Sequence, residues 1–367
     1  MSHHQRYRRN PDVIPEWGHD AGLVLRDCRQ WRVFSVRPAL IGLLSHLDRP
    51  HTAEDLHGLW DESPGPGPVA ALLEKLADAG IVRRCPPDDE DEPDDGWSPY
   101  ELAVHRQAGT GGFTGRDLGA SPPARFHHSE ATTTIPLPGA DGTDSRPLAT
   151  VLAERRSTRR YAAEPVPLTT LAACLERAAR VRGRLPPLAY QQTQRPTPSG
   201  GARHSLEIHV LARDVDGLAS GAYHYDPFGH GLAKLAPWEE SLTALQQRFI
   251  VTPAVMEAPP PVSLYLTSCA ERTAWKYSRL VLTLIYRDTG CLMQTLCLTA
   301  TDLGLAACPV GAIDASLSAP FLAPYRDRLI HVGGLALGLP DRSSPPAAVT
   351  PLQGTTEKVA PPRVFQK

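Results

Sequence analysis

The chain lacks several things that would assign it early. It has no excess of positive charge: 38 Lys and Arg stand against 40 Asp and Glu, for a formal net charge of -2. Nucleic acid and anionic membrane are therefore not expected partners, because both demand a basic surface. The N-terminal stretch MSHHQRYRRNPD has no apolar segment, so it does not read as a secretory signal. The longest clean apolar run, Leu280 to Tyr286, is seven residues, far short of the ~20 that a bilayer span requires. No C-x-x-C occurs, and the seven cysteines are odd in number and widely spaced. That excludes a disulfide framework and a cysteine-based zinc site and fits reduced thiols in the cytoplasm. No internal repeat is visible. No metal site is expected, and His127-His128 reads as a solvated pair in a loop.

Proline is abundant, at 37 of 367 residues. Its clusters mark loops and candidate domain edges, and the length favours two domains. Residues 1–19 read as a tail and 20–85 as a small unit. In that unit Gly22–Asp27 and Trp31–Val36 read as paired strands. A helix opens at Pro38 with Leu40, Leu43, Leu44 and Leu47 on one face. Thr52, with Asp55 three residues on, caps a second helix. A third carries Val69, Leu72, Leu73 and Leu76, stops at Gly80, and leads into a wing strand from Ile81. Two strands, three helices and a wing suggest a winged helix. Its last helix has one Lys and two acids, a poor surface for phosphates, so docking or dimerisation is favoured over DNA binding. Residues 86–96, PPDDEDEPDDG, read as a solvated acidic linker.

Residues 97–146 read as a loop-rich connector, 147–342 as a second domain and 343–367 as a Pro-rich tail. In the second domain Leu148–Arg156 reads as a helix. Thr169 is placed to cap another, with Leu171, Leu175 and Ala178 on its face. Leu206–Leu211, Val262–Leu266 and Leu329–Leu337 read as strands, and Cys291–Gly304 as a helix with Leu292, Leu296 and Leu303 inward. Helices interleaved with strands make the domain α+β, with helices covering a central sheet.

Three segments offer chemistry. Arg155-Arg-Ser-Thr-Arg-Arg-Tyr161 places four arginines within six residues, together with Ser157. Guanidinium forks and a hydroxyl suit phosphate oxygens, although a bare cluster also fits a solvated turn. Pro196-Thr-Pro-Ser-Gly-Gly-Ala202 is a small-residue loop ahead of a strand. Its glycines would let backbone approach a planar ligand, and Ser199 offers a donor. Lys276-Tyr277 stands at the mouth of the apolar run, where a solvated helix start is the plainest reading.

Taken in order, R-R-S-x-R-x-Y, P-S-G-G, K-Y and G-x-x-x-Q-x-L-x-L-x-A-x-x-L-G-L-x-x-C-P-V-G resemble the nitroreductase-like flavoproteins. More narrowly they resemble the FMN-dependent azoline dehydrogenases of thiazole/oxazole-modified peptides. The resemblance covers about residues 97–340, and the N-terminal unit is similar to the peptide-recognition winged helices of those pathways. It implies a nitroreductase-like α+β fold preceded by a winged-helix domain. Arg155, Arg156, Ser157 and Arg159 would hold the phosphate and ribityl end of FMN, with Arg342 as a second phosphate contact. Ser199 and Gly200 would lie against the flavin ring, and Gly311 would present a backbone N–H to it. Lys276 and Tyr277 would be the catalytic pair, with apolar neighbours Trp275 and Leu280–Tyr286 tuning the lysine. The implied partners are an azoline-containing precursor peptide, a cyclodehydratase and a second copy of the chain in a homodimer. Leu280, Cys291 and Ala312-Ile313 depart from the Arg, His and Gly-Phe of many relatives, on the substrate side. An NAD(P)H-dependent nitro or quinone reductase and a non-catalytic docking scaffold are the alternative expectations.

Overall fold

The computed structural model describes residues 5–18, 20, 22–86, 96–114, 118–140, 144–186, 188–341 and 343. Most of the acidic linker and of the C-terminal tail lie outside them.

The N-terminal segment holds two three-stranded antiparallel sheets and three helices. Residues 6–17, read as tail, are not tail. Arg6–Arg9 is the middle strand between His51–Thr52 and Val82–Cys85, and Val13–Trp17 starts a meander with Leu23–Asp27 and Arg32–Ser35. Tyr7 is the only side chain of Arg6–Arg9 that is buried. A single aromatic among arginines gives no alternation to read. The helices Ala39–Ser45, Ala53–Leu59 and Pro66–Ala79 follow the expected faces. Thr52 and Asp55 form a capping box. Gly80, at φ 79°, ends the third helix in the left-handed conformation that glycine adopts without a Cβ clash. Leu43, Leu47, Leu56, Val69, Leu73 and Tyr7 close a core of their own.

The remainder is built on a seven-stranded sheet. Its order is Ala306–Val310, Leu329–Gly338, Val262–Cys269, Leu206–Ala212, Gly221–Asp226, Gly231–Pro237 and Thr133–Pro136, with every pairing antiparallel. Successive residues of a strand face opposite sides. Ile208 and Val210 therefore join the helices Leu168–Ala179 and Val281–Asp302 on one face. Leu211 and Ala222 join Leu242, Phe249 and Leu322 on the other. The α+β expectation holds.

Several boundaries differ from the sequence pattern. The long helix starts at Val281, ten residues before Cys291. Leu282, Tyr286 and Cys291 lie on its exposed side. The apolar run is thus two helical turns with an uncovered flank, which a search for a single buried stripe does not register. Leu168–Ala179 follows Pro167 without any side-chain cap, so Thr169 lies inside the first turn. The connector carries a helix, Pro99–Gly109, capped by Ser98 and Glu101, besides the edge strand Thr133–Pro136. All seven thiols are free. No helix among the described residues is long and apolar enough to cross a membrane.

Two arginines, Arg203 and Arg272, are each 1% exposed. Arg203 donates to the carbonyls of Arg272, Gln191 and Pro122. Arg272 donates to those of Pro123 and His204 and to Glu207 Oε1 at 2.5 Å.

Leu73 is fully buried in the N-terminal core. Leu73→Ala should destabilise that unit by about 2–5 kcal/mol. Because the seven-stranded sheet has separate cores, hydrogen-exchange protection should fall within residues 5–86 and persist in the sheet. Equal loss in both would show that the two fold as one unit.

Candidate functional site

The segment bearing Lys276 and Tyr277 leaves the strand Val262–Cys269 through one short helix, Ala270–Ala274. Tyr277–Ser278 then pairs with Gly112–Phe113. Tyr277 stacks on Phe113, with ring centroids 5.6 Å apart. Lys276 Nζ donates to the Tyr190 hydroxyl. It also lies 4.6 Å from the Tyr190 ring centroid, 5.3 Å from that of Tyr277 and 5.6 Å from that of Phe113. Lys276 and Tyr277 are half-buried, so the pair is neither solvated nor deep. The neighbours expected from sequence were Trp275 and Leu280–Tyr286. The structure instead puts three aromatic rings around the ammonium, an arrangement that attracts a cation through the ring quadrupole.

Beneath this pair runs the small-residue loop. Gly201 has φ 64°, and a Cβ there would stand 2.6 Å from Lys276 Nζ and 2.8 Å from the Tyr277 hydroxyl. The left-handed backbone favours glycine there, and the missing Cβ leaves room for the ends of both side chains. Gln192 Nε2 donates to the Gly201 carbonyl at 3.1 Å and to the Tyr190 hydroxyl at 3.3 Å, fixing the loop beneath the lysine. Tyr190 and Gln192 were missed from sequence, since neither sits in a recognisable motif.

Asp288 was also missed. It lies on the long helix, 7% exposed. Ser199 Oγ donates to Asp288 Oδ2 at 2.6 Å, the Gly200 N–H donates to the same carboxylate at 3.1 Å, and Ser199 Oγ accepts from the His204 N–H. The Ser199 hydroxyl, expected as a donor for a ligand, is therefore engaged inside the protein. Burial raises the Asp288 carboxyl above its ordinary value, against the lowering by Ser199 and Gly200. An acid beside Ile285, Thr289 and Leu292 on the buried face of an apolar helix was the available signal.

The arginine cluster lies along the far edge of the sheet. Ser157 bridges Ala307 in parallel, and the Thr158 N–H donates to the Ala307 carbonyl at 2.9 Å. Arg156 Nε donates to the Glu154 carbonyl and Arg159 Nε to that of Ala254. The side chains of Arg155 and Ser157 have no hydrogen bond or ion pair among the described residues. Arg155 acts on Cys297, whose thiol burial pushes up to about 11 while the guanidinium pulls it down. Gly311 follows the edge strand, exposed, and a Cβ there would meet nothing within 4 Å. Arg342 lies outside the described residues. No hydrogen bond or ion pair joins the arginine cluster to the Lys276 group among the described residues. The long helix spans both: Asp288 and Cys297 are separated by ~14 Å along its axis. The unengaged Arg155 guanidinium and Ser157 hydroxyl at one end suit an anionic group, and small residues line the other end.

The profile of the nitroreductase family matches residues 152–329. The chain is 33% identical over 169 residues to a Methanocaldococcus jannaschii protein that carries the name nitroreductase, covering 45% of this chain and 78% of that one. It is 33% identical over 88 residues to the trifolitoxin-processing protein TfxB of Rhizobium leguminosarum bv. trifolii, 24% of either chain. A chain of the solved Escherichia coli microcin synthetase McbBCD complex, with truncated pro-MccB17 bound, is similar at TM-score 0.40 and 17% identity, over 74% of this chain and 92% of that one.

Asp288 generates a prediction with a definite sign. Its carboxyl is raised in the fold, so its contribution to stability is full below the unfolded pKa and is lost as pH rises through the folded value. Urea unfolding of the wild type between about pH 4 and 7 should show that fall. Asp288→Asn, which keeps an acceptor and has no charge, should lack the step. Asp288→Ala leaves the Ser199 hydroxyl and the Gly200 N–H without their acceptor, and should cost about 1–3 kcal/mol at every pH.

Proposed function

The chain belongs to the nitroreductase family, and from that premise we propose that it is an FMN-dependent dehydrogenase. It oxidises thiazoline or oxazoline rings to thiazole or oxazole within a ribosomally made peptide. The observation that carries this reading is the seating of Lys276 and Tyr277 together on Gly201, with Tyr190 at the lysine nitrogen. Removal of a proton from an azoline ring needs a positioned base, and a fixed amine supplies one. The name of TfxB, which describes the processing of a peptide toxin, supports the same class of substrate.

FMN fits the unengaged groups. Arg155, Arg156, Ser157 and Arg159 would hold its phosphate and ribityl end; Arg342, proposed as a second phosphate contact, lies outside the described residues. Ser199 and Gly200, fixed by Asp288, would lie against the ring, and Gly311 would offer it a backbone N–H. FMN, when bound there, would supply the two-electron hydride acceptor, with oxygen as the terminal oxidant. The chain supplies the rest. Lys276 must present its neutral amine for this step; it then takes the proton from the adjacent ring carbon, so that one proton and one hydride leave and a double bond forms. The Tyr277 hydroxyl hydrogen-bonds the ring nitrogen, and Tyr190 and Gln192 hold the lysine in line.

Two partners complete the reading. Helices at residues 99–109, 148–154 and 281–302 pack together, yet Tyr100, Leu148, Leu152 and Tyr286 remain exposed, Leu148 at 63% and Leu152 at 50%. An apolar patch of this kind marks an interface, and a second copy of this chain covers it to form a homodimer. Residues 5–86, as a winged-helix unit, dock the precursor peptide or the cyclodehydratase that forms its rings. Trp17, 77% exposed, is one apolar contact available for that docking.

Lys276→Ala should abolish ring oxidation, by at least the hundredfold that a positioned acid–base group contributes, while the protein stays yellow. Ring oxidation at the wild-type rate in this variant would overturn the mechanism. Consumption of NADPH with a quinone, and no reaction with an azoline peptide, would instead establish the reductase.

For the dimer, Leu152→Glu should give a monomer by sedimentation and lower flavin occupancy with it. A Leu152→Glu dimer with full flavin would remove this face from the interface.

A further inference from the structure

On the sheet face turned away from the long helix, three histidines converge. His209 and His224 are direct cross-strand partners on Leu206–Ala212 and Gly221–Asp226. His128 comes down on them from the connector. It is buried and only His127 is exposed, so the pair expected to be solvated is split between core and surface. The three are 9%, 0% and 2% exposed for His128, His209 and His224. One ring nitrogen from each lies within 4.8 Å of the other two.

We propose that His128, His209 and His224 form a site for one divalent metal ion of the zinc class, which clasps the connector onto the central sheet. The Nε2 atoms of His128 and His209 face each other at 3.1 Å. Two ligands of a tetrahedral zinc with Zn–N of 2.0–2.1 Å stand roughly 3.3 Å apart.

The surroundings are those of a metal centre. Glu207 Oε2 lies 2.8 Å from His224 Nε2. The carboxylate accepts there, which leaves Nδ1 as the ring nitrogen that would ligate the metal. Glu207 is anchored in turn by Arg272. A carboxylate behind a ligating histidine sets its tautomer and orientation. Phe126 and Tyr325 pack edge-on against His128, at 5.0 and 4.8 Å between centroids, and Phe321 lies 5.7 Å from His209. Ligands from two strands and the connector would add a cross-link to a segment whose ties at Pro122 and Pro123 are single hydrogen bonds. Three imidazoles leave one of the four zinc positions to water.

The test uses the full chain, stripped with a chelator and reloaded with Zn²⁺ alone. Elemental analysis after gel filtration should give ~1 zinc per chain, with a higher Tm for the loaded protein. His209→Gln and His224→Gln should bind at least tenfold more weakly, and Glu207→Gln about 10–100-fold more weakly. X-ray absorption of the loaded wild type keeps the question decidable if a variant fails to fold. Three imidazole nitrogens at about 2.0–2.1 Å are expected. No zinc uptake, a shell made mainly of oxygen, or unchanged binding in a folded His209→Gln protein would overturn the proposal.

Discussion

The candidate site depends on two guanidinium groups buried where few charges are tolerated. Removing a cation from water costs several kcal/mol unless its hydrogen bonds are replaced. Arg203 and Arg272 replace theirs with carbonyls from distant segments: Pro122 and Pro123, Gln191, His204 and Arg272 itself. Apart from Arg272, which lies in the short helix Ala270–Ala274, these contacts fall outside regular strands and helices, so no ladder fixes them. The arginines do that work, and the single carboxylate of Glu207 offsets part of their charge. Burial and the neighbouring Arg272 both draw Arg203 below its ordinary value. The pair is therefore held by geometry against a standing electrostatic cost. Both side chains therefore tie the connector to the segments that carry the glycine loop and Lys276.

The glycine loop is a second point where local cost and site geometry meet. Gly201 occupies left-handed backbone so that Lys276 and Tyr277 can approach it. Asp288 gives up solvation to hold Ser199 and Gly200 in place. Each is unfavourable alone, and each is repaid only if the loop must present one conformation to a ligand. Strain and desolvation gathered at one place are a common mark of a functional site.

The sheet divides its labour between its two faces. One carries the long helix, which reaches from the Lys276 segment, past Asp288, to Cys297 beside Arg155. That helix is the rigid element between the two ends of the candidate site, and side chains on rigid elements keep their separation. The other face holds the histidine cluster, and the two faces communicate through few groups. Glu207 is one of them. It binds His224 on its own face, while Arg272 carries its influence into the segment that ends at Lys276.

What the sequence made legible follows from the range of each signal. Periodicity and caps are local, so the helices of the N-terminal core, the Thr52 cap and the Gly80 stop could be read directly. The strands Leu206–Ala212, Val262–Cys269 and Leu329–Gly338 were found because a run of β-branched and leucine residues is also local. Arg6–Arg9 was lost because its place in a sheet is decided by partners more than forty residues away. The site divides in the same way. Lys276, Tyr277 and the glycine loop stand in compact motifs. Tyr190, Gln192 and Asp288 matter only through contacts made after folding. The same limit hid the histidines. Ala124, Phe126 and His128 are buried while Arg125 and His127 are exposed. That alternation is present in the sequence, but what makes His128 a neighbour of His209 is the path of the connector across the sheet.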